Sequence, residues 1–68
     1  MVLYVSYVKV NRAYENVFDS VATDFFGDKE SGTALTVKEI QELEEHILTK
    51  LEPNARRVTI LNWKEINH

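Results

Sequence analysis

Cysteine is absent from this chain of 68 residues. No disulfide can staple it and no thiolate can hold a metal, so a reducing compartment is permitted. Histidine is scarce, with only His46 and His68, which is poor material for a metal site. Proline occurs once and glycine twice. No internal repeat or low-complexity linker divides the chain, which reads as a single domain over residues 1–68. No apolar run approaches the roughly 18 residues of a membrane span. The N-terminus opens directly on a strand-like run, without the basic region of a signal peptide. The expectation is a cytoplasmic protein without a membrane partner. Positive charge is also in short supply. The net charge of −3 argues against broad phosphate binding. A chain this short buries only about 60% of its unfolded surface, so association is an open route to extra stability.

What is present is periodic. Val37, Ile40, Leu43, Ile47, Leu48 and Leu51 recur at gaps of three and four, the stripe of an amphipathic helix. Thr36 and Glu39 have capping-box spacing at its start. Pro53 disfavours helical geometry at Glu52, so the helix is predicted over about Val37 to Leu51. From Arg57 to Trp63 the residues are β-branched, aromatic or large aliphatic, as strands prefer. Val58 and Ile60 then fall on one side, and Thr59, Leu61 and Trp63 on the other.

Val2 to Val10 is the first strand. Val2, Tyr4, Ser6, Val8 and Val10 alternate with Leu3, Val5, Tyr7 and Lys9, so both faces carry large apolar groups and the strand belongs in the centre of a sheet. Asn11 to Asn16 is polar and turns the chain. Tyr14 to Phe26 fits a helical stripe through Tyr14, Val17, Phe18, Val21, Ala22 and Phe25. Its residues are weak helix formers, and a strand is the preferred reading. Gly27 to Ala34 is a polar loop, expected to be the most mobile part. The predicted fold is α+β: a three-stranded ββαβ sheet in the order 2-1-3, with one amphipathic helix on one face. The crossover from the second strand to the third is expected to be right-handed if those two run parallel.

The segments Val5-Ser6-Tyr7-Val8, Tyr14-Glu15-Asn16-Val17, the acidic helix around Ile40 to Leu51, and Val58-Thr59-Ile60-Leu61-Asn62-Trp63 are together similar to small uncharacterised proteins of phages and prophages. The resemblance implies a phage or prophage origin, hence a host cytoplasm, and carries no activity with it. The glycines of that pattern's first turn are missing here.

Candidate chemistry is thin. Glu39, Glu42, Glu45 and Glu52 give the helix an acidic outer surface, which either imitates nucleic-acid phosphates toward a basic partner or simply keeps the protein soluble. Glu44 falls within the apolar stripe. It reads as an acid of raised pKa or, preferably, as a stripe-edge carboxylate paired with Lys9, Arg56 or Arg57. No nucleophile or second inward acid completes a catalytic set. Lys9, Arg12, Arg56 and Arg57 gather at one edge as a small anion site or, preferably, pair with Glu44, Glu52 or Glu15. His46 reads as solvated rather than as a ligand, and His68 as a frayed terminus. Tyr7 and Trp63 stack bases, anchor a partner or, preferably, pack in the core.

The expected function is a small, non-catalytic protein-binding module without cofactor or metal, in the form of a phage-encoded effector or inhibitor occupying a host protein. The candidate partner-binding residues are Tyr4, Tyr7, Glu42, Glu45 and Trp63. The alternative is a nucleic-acid-binding protein using an aromatic and basic sheet face through Tyr4, Tyr7, Trp63, Lys9 and Arg57. One helix covers one side of three strands, so a homodimer through the open face is expected. Its competitors are a different protein on that face, or the tail Lys64 to His68 folding back with Ile66 to shield it.

Overall fold

The computed structural model describes residues 1–66. Its elements are β1 (Val2–Val10), β2 (Asn16–Thr23), α1 (Val37–His46) and β3 (Arg57–Ile66). The strands form one antiparallel sheet in the order β2-β1-β3, so the α+β fold with a central first strand is as the sequence predicts. The segment that fits both periods is extended: Asn16–Thr23 pairs with β1 along its whole length. The hairpin turn is tied by Asn11, whose side-chain oxygen accepts from the Ala13 and Glu15 backbone N–H groups at 2.9 Å each.

Thr36 and Glu39 close the capping box in both directions, which fixes where α1 begins. The helix then runs into a wider π-helical turn, Ile47–Leu51, closed by the Glu52 N–H donating to the Ile47 carbonyl at 2.8 Å. Ahead of Pro53, Glu52 leaves helical geometry, and the i→i+5 turn changes the angular step of the last residues. Ile47 stays fully buried, while Leu51 is 44% exposed instead of closing the stripe. Val37, in the first turn, is likewise exposed.

The core is Leu3, Val5 and Tyr7 of β1, Leu43 and Ile47 of the helix, Val58 of β3 and Phe26 from the loop after β2. The helix therefore covers the odd-numbered side of β1. The Gly27–Ala34 loop makes side-chain contacts at two points. Lys29 pairs with Glu39 at 2.5 Å, and Glu65 accepts from the Gly32 N–H at 2.7 Å and from the Ser31 hydroxyl.

β3 departs from the alternation read in the sequence. Its register shifts between Ser6 and Tyr7: Ser6 faces Asn62 but Tyr7 faces Ile60, leaving Leu61 as the extra residue of a bulge. Beyond it the faces exchange, and Trp63 pairs with Val5 on the helix side, together with Val58 and Ile60. The chain from Lys64 to Ile66 continues β3 beside Val2 and Tyr4 instead of folding back over the sheet. His68, read above as a frayed end, lies outside the described residues.

Candidate functional site

The side of the sheet away from the helix has no cover among the described residues. Register places Val2, Tyr4, Ser6, Val8 and Val10 there from β1, and Asn16, Phe18, Ser20 and Ala22 from β2. From β3 come Arg57, Thr59, Asn62, Lys64 and Ile66. Phe18 is 74% exposed and Tyr4 43%, with the Tyr4 hydroxyl 2.7 Å from the Ser20 hydroxyl. Two shallow hollows open at opposite ends of this face. One, of about 550 Å³, is lined by Tyr4, Lys64, Glu65 and Ile66. The other, of about 310 Å³, is lined by Val10, Tyr14, Arg56 and Arg57. At the second, the Arg56 guanidinium lies 4.1 Å from the centre of the Tyr14 ring, a cation–π contact. Tyr14 holds a left-handed backbone with φ of 61°, which sets its ring there.

The proposed partner-binding residues do not share one surface. Tyr4 is on the open face. Tyr7 is 3% exposed beneath the end of the helix, and its hydroxyl donates to Glu52 at 2.8 Å. Trp63, 39% exposed, stands on the helix side of an edge strand. Glu42 and Glu45 are exposed on the helix. The acidic surface is thinner than the sequence suggests, because Glu39 is engaged with Lys29 and Thr36, and Glu52 turns inward. Lys29 holds the Glu39 carboxyl below its ordinary pKa.

Glu52 is the centre of a polar cluster that sequence reasoning missed as a unit. One carboxylate oxygen accepts from both Tyr7 and Lys9, the latter at 2.7 Å, and Asp19 stands 3.8 Å from the same ammonium. Burial, and then the Glu52 hydrogen bond, push the Tyr7 hydroxyl pKa upward. The Glu52 hydrogen bond raises that of Lys9. These groups spend their bonds on one another. Lys9 therefore does not join Arg56 and Arg57 in one cationic edge.

Glu44 finds a backbone partner rather than a cation: its carboxylate accepts from the Ile60 N–H at 2.8 Å. The ladder explains why that N–H is free. Asn11 donates to Glu15, so the odd-numbered β1 residues bond to β2 and the even-numbered ones to β3. Ile60 and Trp63 then point their N–H groups to the outer edge of β3, and Ser20 to the outer edge of β2. Each is taken by a side chain at 2.8 Å: Glu44 for Ile60, Asn62 for Trp63 and Asp19 for Ser20. At these three positions the edge N–H is not open to an added strand.

The His46 ring lies 4.7 Å from that of Phe25, so it packs at the helix flank. Among the described residues, no group of three metal-ligating side chains comes together, and no helix is long and apolar enough to cross a membrane. The chain matches no family model, no curated protein and no solved structure in the comparisons made with each.

Proposed function

We propose that this chain is a non-catalytic protein-binding module whose contact surface is the open face of the sheet. The observation that carries this reading is the uncovered Tyr4, Val8, Val10 and Phe18 on the side of the sheet away from the helix. Apolar area with exposed aromatics and a basic rim is the composition of an interface core. A phage-encoded effector that occupies a host protein in the host cytoplasm is the form this takes if the resemblance to prophage proteins holds. The test is capture from a host lysate by three baits: the native chain, Phe18→Ser, and the double variant Glu42→Lys/Glu45→Lys. A specific partner retained by the helix variant and lost by Phe18→Ser supports the sheet face. The reverse pattern moves the site to the acidic helix and contradicts this reading.

A further inference from the structure

Among the described residues, the open face is charged in one sense only. Arg57 and Lys64 are the charged residues that register places on it, on a chain whose net charge is −3. Arg57 sits opposite Val10 and Lys64 opposite Tyr4, six residues or about 20 Å apart along β1. Each stands in one of the two hollows, beside an aromatic ring and an aliphatic residue. Glu65 also borders the first hollow, but its carboxylate is turned to Ser31 and Gly32.

We infer that the occupant of this face is an acidic protein surface, with carboxylates placed to meet Lys64 at one end and Arg57 at the other. This rests on the reading of the sheet face as the binding surface. A second copy of the chain fits less well. Any face-to-face pairing of two copies brings cations against cations or apolar groups, with no facing carboxylate among the described residues to meet them. A partner not bound by symmetry can continue past the second hollow onto Arg56 and Tyr14, which a two-fold pairing does not require. Single-stranded nucleic acid shares the negative charge. Yet its two exposed rings, Tyr4 and Phe18, stand apart across the polar row of Ser6 and Ser20, where successive bases need successive aromatic platforms.

The test builds the missing charge into the protein itself. Arg57→Glu/Lys64→Glu reverses two exposed side chains, and Lys64→Glu alone serves if the double variant is unfolded by circular dichroism. Sedimentation equilibrium is run at tens of micromolar on the native chain, on the variant and on their mixture. The expected result is the 7.9 kDa mass of one chain for each alone. The mixture associates at least tenfold more tightly than either, and about 1 M salt reverses this by shortening the Debye length to about 3 Å. Association of the native chain with itself makes a second copy the occupant and overturns the inference, as does a mixture that stays monomeric. An oligothymidylate that binds the native chain and not Lys64→Glu overturns it in favour of nucleic acid. If the mixture fails while Phe18→Ser still abolishes lysate capture, the sheet face stands and its acidic occupant does not.

Discussion

Tyr7 is buried with its hydroxyl on a carboxylate, and that combination makes stability depend on alkaline pH. In the folded chain both Tyr7 and Lys9 have raised pKa values, whereas unfolded they ionise near 10 and 10.4. Folding therefore holds a proton on each that the unfolded chain releases. Their contribution is fully present below about pH 10 and is lost as pH rises beyond it. Glu39 and Glu65 act oppositely. Lys29 and Ser31, respectively, are the main causes that lower their pKa values, so their contribution is present above about pH 4.3 and lost as pH falls. Tyr7→Phe should cost roughly 1–3 kcal/mol at neutral pH and should flatten the fall in stability above pH 10. Urea denaturation across pH 7–11 checks this, and an unchanged alkaline slope would mean that Tyr7 ionises as freely folded as unfolded. Of this cluster, the Lys9–Glu52 pair was among the pairings read for the basic edge, while the place of Tyr7 in it was not legible. Glu52 follows the helix stripe in sequence and reads as an outer acid. Only the π-helical turn before Pro53 swings it under the sheet, and that turn has no sequence signature here.

At the level of elements, the sequence was most informative where one periodicity ran unbroken. The capping box, the Leu43 and Ile47 stripe and the alternation of β1 all stand as the residue pattern predicts. The second strand was legible from propensity, because Asn, Asp, Ser and Thr between aromatic and β-branched residues disfavour helix over Asn16–Thr23. The bulge at Leu61 was not legible: one extra residue reverses every later side chain, and nothing in Ile60-Leu61-Asn62 announces it. It moves Trp63 to the helix side, away from Tyr4, and sets Lys64 on the open face, while Tyr4 and Tyr7 lie on opposite sides of β1 by its alternation alone. Glu44 gains its meaning from the same strand, as the acceptor for an edge N–H. Glu44→Gln keeps an oxygen acceptor and should change stability little, while Glu44→Ala leaves the Ile60 N–H without its partner and should cost about 1–3 kcal/mol. Chemical denaturation compares the two, and equal losses would remove this role from Glu44.

At the scale of the whole molecule, the described residues bury one side of a three-stranded sheet under a single helix and leave the other side open, with their carboxylates gathered elsewhere. That asymmetry is the central claim, and amide chemical-shift mapping addresses it most directly. The native chain, labelled with nitrogen-15, is titrated with unlabelled Arg57→Glu/Lys64→Glu. The account predicts shifts at Tyr4, Val8, Val10, Phe18, Arg57 and Lys64, with Glu42 and Glu45 unmoved. Shifts confined to α1, or along the outer edges of β2 and β3, would contradict it.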